Sequence, residues 1–167
     1  IRNTGPSLSP FNAWVLLKSI ETLELRVKHQ TKSAKNVVKY LKQSSKIDRI
    51  YYPTDSNFRQ KKIAKKQMID GGSIISFELQ SLEKNKKKVA FSFLNKLKLI
   101  EISNNLGDSK TLITHPDTTT HHKLTLDEKI SLRITKNLVR LSVGLEDSDD
   151  IIDDIDNALT KAMKNES

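Results

Sequence analysis

Leu138-Val139-Arg140-Leu141-Ser142-Val143-Gly144 is an apolar run of strand length with one guanidinium at its centre. Alternation places Arg140 and Ser142 on one face of the strand and Val139, Leu141 and Val143 on the other. The segment that follows reads as a helix, because Ile151, Ile152, Ile155, Ala158, Leu159 and Ala162 fall on one stripe. Asp147, Asp149 and Asp150 stand at its start and Lys161 and Lys164 at its end, the charge order that a helix dipole favours. A strand with one apolar face, next to a helix with one apolar stripe, is stable only as part of a layer of helices on a sheet.

Working back towards the amino terminus, the same alternation of strands and helices recurs. Phe11, Trp14, Val15, Leu17 and Ile20 repeat at helical spacing after Ser9-Pro10, which supplies an N-cap and a proline at the first helical position. Gly5 to Pro10 reads as a loop leading into that helix. The pattern runs on through Leu23, Val27, Ala34, Val37, Val38 and Leu41, predicting one long helix or two end to end, of a length that suits a connector between domains. Strands are expected over Ile47 to Tyr52, Ser73 to Leu79, Leu99 to Ile102 and Thr111 to Thr114, and helices over Gln60 to Met68 and Leu82 to Leu97. The fold class is therefore α/β, in the form of an α+β layer with helices on a small sheet.

The formal charge of +9 raises the question of a polyanionic partner. Of 29 basic residues only six are Arg, and the lysines cluster in runs such as Lys61-Lys62, Lys65-Lys66 and Lys86-Lys87-Lys88 without interleaved aromatics. Such runs are expected to be solvated faces, so nucleic acid is not the expected partner. There is no cysteine, which excludes disulfides, thiolate metal ligands and cysteine nucleophiles. No apolar run approaches the roughly 18 residues of a membrane span, and a cytoplasmic location is expected. Ile1 is not an initiator, and sequence upstream of it is expected to have been removed or lost.

Arg140 is the residue whose chemistry stands out. A half-buried guanidinium needs an anionic partner, and its planar fork matches a carboxylate; on this pattern alone a structural salt bridge to one of the nearby acids is expected ahead of a ligand contact. His115, His121 and His122 invite a metal, but His115 precedes a proline, the other two are chain neighbours, and no helical His-x-x-x-His pair is present. Turn and hydrogen-bonding roles are the expectation. No Gly-rich phosphate loop and no Gly-x-Ser-x-Gly elbow occurs.

GPSLSPFNAW (5–14), ETLELRV (21–27), KKQM (65–68), ISNNLGDSKTLITHP (102–116), TTTH (118–121) and LVRLSVGLED (138–147) resemble, in order, successive landmarks of the Cys/Met-metabolism enzymes that depend on pyridoxal phosphate (PLP). The resemblance covers nearly the whole chain. It implies the carboxyl-terminal part of a fold type I transferase, with a mainly antiparallel sheet. Residues 1–27 would be the tail of the PLP-binding domain and its connecting helix, and residues 28–167 the substrate-side domain. Asn104-Asn105-Leu106-Gly107-Asp108 and Thr118-Thr119-Thr120-His121 are similar to O-succinylhomoserine sulfhydrylase, whereas the synthase and lyase branches usually have Ser-Leu-Gly and a Met at these places.

The resemblance further implies that Arg140 grips the substrate α-carboxylate, that Asn105 holds the polar position beside it and that Thr120 lines the substrate pocket, while His115-Pro116 is architectural. The cofactor's lysine, stacking aromatic and pyridine-binding aspartate would all lie upstream of Ile1. The chain alone is therefore expected to be inactive and to hold no PLP specifically. Expected partners are an amino-acid substrate and either further copies, as a tetramer, or a separately encoded PLP-domain half. Cystathionine γ-synthase, methionine γ-lyase and a non-catalytic basic binding module are the alternative functions. The chain departs from the family pattern at Phe58-Arg59, where His-Pro is common, at Asp117, where a small residue is usual, and at Arg133, where a glycine usually precedes Ile134. Together with the missing start these departures fit a split or decaying gene.

Overall fold

The computed structural model describes residues 8–81 and 86–164. The expected loop at Gly5 to Ser7 and the expected helix start at Leu82 lie outside the described residues.

Two helices open the chain, α1 (Pro10–Glu21) and α2 (Leu23–Gln43), so the long apolar pattern resolves into two helices end to end. The Ser9 hydroxyl accepts the Asn12 N–H at 3.2 Å and Pro10 occupies the first turn, as the sequence requires. Burial along this pair is uneven. No residue of α1 is buried, and α2 is buried only from Gln30 onward, through Ala34, Val37, Val38 and Leu41.

Next come β1 (Ile47–Tyr51), α3 (Lys61–Gln67), β2 (Ile74–Leu79), α4 (Lys86–Leu94), β3 (Glu101–Ile102) and β4 (Leu112–Thr114). A short 3-10 turn (Pro116–Thr118), α5 (Leu126–Ser131), β5 (Leu138–Ser142) and α6 (Ser148–Lys164) complete the order. The sheet runs β1-β2-β5-β4-β3, antiparallel at every junction except the parallel pair β3–β4. It is the small, mainly antiparallel sheet expected, although β3 is shorter than the Leu99 to Ile102 pattern suggested.

One face of the sheet carries the core. Ile75, Phe77, Val139, Leu141, Val143 and Ile113 are completely buried against α2, α4 and α6, whose stripe residues Ile151, Ile155, Ala158 and Leu159 are equally inaccessible. Phe77 and Phe93 meet edge to face with ring centroids 6.2 Å apart. One polar residue interrupts the α6 stripe: Asp154 sits a turn after Ile151 and is buried. Its carboxylate accepts the backbone N–H groups of Lys98, Leu99 and Ile100, all at 2.9 Å, and so ties the lead-in to β3 onto the helix layer.

Among the described residues the opposite face has no helix layer of comparable size. It carries Ser76 of β2, Arg140 of β5 and Thr114 of β4 side by side, since Arg140 is in register with Ser76 on one side and Thr114 on the other.

Candidate functional site: Arg140 and the loops around it

Arg140 is half-buried at the centre of the sheet, and its Nη2 donates to the Asn104 carbonyl at 2.9 Å. No carboxylate among the described residues pairs with it. A guanidinium has five N–H donors, so most of the fork has no hydrogen-bond acceptor among the described residues.

The loop that supplies the Asn104 carbonyl is held from several sides. The Gly107 N–H donates to the Ser142 hydroxyl at 3.0 Å, and the buried Gln30 of α2 donates its Nε2 to the Asp108 carbonyl at 2.8 Å. Glu146 accepts both the Thr111 N–H at 2.7 Å and the Thr111 hydroxyl at 2.8 Å, while that hydroxyl accepts the Gly144 N–H at 2.9 Å. Gly144 is required by this crossing, because a Cβ there would lie 2.5 Å from the Ser109 carbonyl oxygen. Asn105, carried by this loop, is exposed, and its N–H donates to the Ser103 hydroxyl at 3.3 Å.

The second loop hangs from Thr114, the strand neighbour of Arg140. Thr114 Oγ1 and Thr119 Oγ1 are 2.9 Å apart, and the Thr119 hydroxyl also donates to the His115 carbonyl at 2.9 Å. His115 is buried; its Nε2 donates to the Lys136 carbonyl at 3.0 Å and its Nδ1 lies 2.8 Å from the Thr118 hydroxyl. Its ring meets Phe91 edge to face at 5.2 Å, and Pro116 beside it is buried. His115-Pro116 is thus an architectural corner. Thr120 follows that corner, exposed, with its hydroxyl 2.7 Å from His121 Nδ1, while His122 Nδ1 turns instead to the Thr119 carbonyl at 2.7 Å. The three histidines therefore serve different partners. Among the described residues no group of three or more His, Asp or Glu is placed to hold a metal ion.

The topology brings Arg140 next to both loops, but no hydrogen bond links its side chain to that of Asn105 or Thr120 among the described residues. Sequence reasoning did not find Gln30, Ser142 or Glu146 as the groups that fix the Asn105 loop, nor α5. For α5 a signal was present: Thr125 and Glu128 form a capping box, in which the Thr125 N–H donates to Glu128 Oε2 at 2.8 Å. Asp117, set in the 3-10 turn, makes a 2.6 Å ion pair with Lys129 of α5 that anchors this helix over the turn. Arg133, one residue past the C-cap of α5, has φ 58°, the left-handed region that favours glycine.

Further along the same face, the Tyr51 hydroxyl donates to Glu78 at 2.5 Å. Burial, and then this bond to a carboxylate, hold the phenol above its ordinary pKa. Tyr52 is pushed up to about 12, mainly by burial.

Helices layered on a five-stranded, mainly antiparallel sheet match the carboxyl-terminal part of fold type I PLP enzymes. A cystathionine γ-lyase from Lactobacillus plantarum, solved in complex with L-serine, superposes with a TM-score of 0.84 at 33% identity, over 93% of this chain and 40% of that one. The model of the Cys/Met metabolism PLP-dependent enzymes matches residues 1–160, and the chain belongs to that family. It is 46% identical over 160 residues to an O-succinylhomoserine sulfhydrylase of Mycobacterium tuberculosis and 43% identical over 158 residues to an L-methionine γ-lyase of Fusobacterium nucleatum. These matches take in 96% and 95% of this chain but only 39% of either relative. No helix of the described residues is long and apolar enough to cross a membrane.

Proposed function

We propose that this chain is the substrate-side part of a PLP-dependent homoserine-ester sulfhydrylase, an enzyme that would join sulfide to O-succinyl- or O-acetylhomoserine to form homocysteine. Arg140 would hold the substrate's α-carboxylate. The observation that carries this reading is the unpaired guanidinium at the centre of a packed sheet. Its backbone is fixed by two neighbouring strands, one N–H is used to hold the Asn104 loop, and the rest of its fork is free for a two-oxygen anion.

Arg140 is flanked in the sheet by Ser76 and Thr114 and donates to the Asn104 carbonyl. None is an amine, an aromatic ring or a carboxylate, so they suit a carboxylate and do not fit PLP itself. When bound, PLP supplies an electron sink for breaking bonds at amino-acid carbons. In this proposal it is held by the portion of the relatives' length that this chain does not span. This chain contributes positioning: the guanidinium fixes the α-carboxylate, and the loops of Asn105 and Thr120 border the side-chain path.

The exposed α1 supports the same reading. Phe11, Trp14, Leu17 and Ile20 are 69%, 55%, 61% and 62% exposed, an apolar surface that a PLP-binding half would cover. Such a half would reach this chain either as a separately encoded polypeptide or within further copies in an oligomer.

The test is a chimaera in which this chain replaces the matching carboxyl-terminal portion of the Mycobacterium tuberculosis relative, assayed for homocysteine from sulfide with each homoserine ester. Preference for sulfide over cysteine supports the sulfhydrylase reading. Cystathionine formed from cysteine, or methanethiol released from methionine, as the dominant activity would move it to the synthase or γ-lyase branch.

A further inference from the structure

A cavity of about 1050 Å³ lies away from Arg140, which is not part of its wall. It wraps the edge strand β1 and is closed by the segment around Phe58 and by the end of α5. Three arginines from three separate segments line it: Arg49 of β1, Arg59 of the following loop and Arg133 past α5. Neither Arg140 nor Asn105 nor Thr120 belongs to its wall.

The charges in this cavity are unevenly compensated. Arg49 interacts with Tyr51 and with the nearby carboxylates of Glu78 and Asp48. Asp55 is already committed, with Lys42 at 2.6 Å and the Asn57 N–H at 3.2 Å. Arg59 and Arg133 have neither an ion pair nor a hydrogen-bond acceptor for the side chain among the described residues. All three arginines are exposed, so water screens much of their mutual repulsion, and a bound anion would remove what remains.

The backbone of Arg133 adds a second, independent observation. At φ 58° a glycine would be unstrained, whereas a side chain adds crowding. Nothing in the packing of α5 calls for a guanidinium there. Its carbonyls are capped by backbone N–H groups, Arg133 to Ile130 at 3.0 Å and Ile134 to Lys129 at 2.8 Å, whatever side chain residue 133 carries. The rest of the wall is mixed: Tyr51, which is held by Glu78, joins Phe58, Ile50 and Leu132 as its aromatic and apolar part, while Asp48, Asp55 and Lys42 are its charged part. Guanidinium groups combined with aromatic and apolar walls suit a flat body that carries clustered negative charge.

We infer that this cavity is a binding site for a small organic anion bearing two or more negative charges on a flat apolar body, as in a nucleoside diphosphate, with Arg59 and Arg133 as its charge-binding residues. Its wall shares Ser76 with the surroundings of Arg140 but does not include Arg140 itself.

Calorimetric titration of the 167-residue chain at about physiological ionic strength tests the inference with ADP, inorganic pyrophosphate and adenosine as probes. ADP should bind at one site with a dissociation constant below about 1 mM, and pyrophosphate and adenosine should each bind at least about fivefold more weakly. Arg59→Ala and Arg133→Gly should each weaken ADP binding about tenfold. Arg133→Gly should do so without lowering the unfolding temperature, which a purely structural role for this side chain would not produce. Lys62→Ala and Lys65→Ala on α3, outside the cavity wall, should leave ADP binding unchanged. The inference is overturned by the absence of saturable ADP binding, by pyrophosphate or adenosine binding as tightly as ADP, by cavity variants that bind ADP like the parent chain, or by α3 variants that weaken binding as much as the cavity variants.

Discussion

Removing the Asp154 carboxylate should destabilise the fold more than any change at the exposed lysines, although Asp154 touches no part of the candidate site. Its two oxygens accept three consecutive backbone N–H groups, of Lys98, Leu99 and Ile100. In Asp154→Ala all three lose their acceptor. A buried donor left unsatisfied costs about 1–3 kcal/mol. The Ile100 bond is buried and the other two are partly so, which places the total near 4 kcal/mol, a large share of the roughly 5–15 kcal/mol that holds a domain together. Asp154→Asn can keep an oxygen at the Oδ2 position, where three N–H groups converge, but it turns an NH₂ towards the Lys98 N–H and loses the charge. A cost of about 2 kcal/mol is expected for it. Urea unfolding followed by far-ultraviolet circular dichroism gives both values, and amide exchange should accelerate first at Lys98 to Ile100. A loss below about 1 kcal/mol in Asp154→Ala would refute the assignment of this carboxylate as the anchor of β3.

Arg133→Gly relieves the left-handed backbone at φ 58° but loosens the unfolded chain. The balance should be a gain of about 0.5–1 kcal/mol, seen as a rise of a few degrees in Tm, while Arg133→Ala stays near the parent; a fall in Tm for the glycine variant would contradict this. Gly144→Ala places a Cβ 2.5 Å from the Ser109 carbonyl oxygen and should cost about 2 kcal/mol in thermal or urea unfolding. Burial raises the pKa of Asp117, but the Lys129 ion pair outweighs that and leaves it below the ordinary carboxylate value; the net shift of Asp55, with burial opposed by Lys42, and of Asp70, led by Lys35, is also downward. Groups lowered in the folded state contribute stability that is complete above their unfolded values and is lost as pH falls through the folded ones. Unfolding free energy should therefore be level from pH 7 to about 5 and decline below about 4, and Asp117→Asn should flatten that decline. The basic faces should bind RNA only by phosphate attraction, so that binding in a filter assay disappears by about 0.2 M salt; sequence-selective retention at that salt would contradict the solvated-face reading.

Most of the sheet and its helix layer was legible because each element carries a period. The alternation in Leu138 to Val143 and the stripe from Ile151 to Ala162 appear in the structure as a buried strand face and a buried helix face. The elements that were missed are short or polar. α5 has no buried residue, so no apolar stripe marks it, and only its Thr125–Glu128 capping box betrays it. β3 keeps two residues because the backbone just before it bonds to Asp154 instead of to a strand. Arg140 was conspicuous as a charge inside an apolar run, and the structure gives it its strand neighbours and its Asn104 contact. Gln30, Ser142 and Glu146 were silent in the sequence, since their hydrogen bonds join residues 78, 35 and 35 positions apart and local pattern carries no trace of them. Arg59 and Arg133 stood out as single departures from the family pattern, but only the fold places them in one cavity.

The proposal for Arg140 is tested most directly by steady-state kinetics of the chimaera with Arg140→Lys and Arg140→Ala. Lysine keeps the charge and loses the two-pronged geometry, so kcat/KM for the homoserine ester should fall by about 2–4 kcal/mol, roughly 30- to 1000-fold, and alanine should fall further. The visible absorbance of bound PLP should stay that of the parent, because the residue is proposed to touch the substrate and not the cofactor. An Arg140→Ala chimaera with unchanged kcat/KM would contradict the account and leave Arg140 as the strut that holds the Asn104 loop.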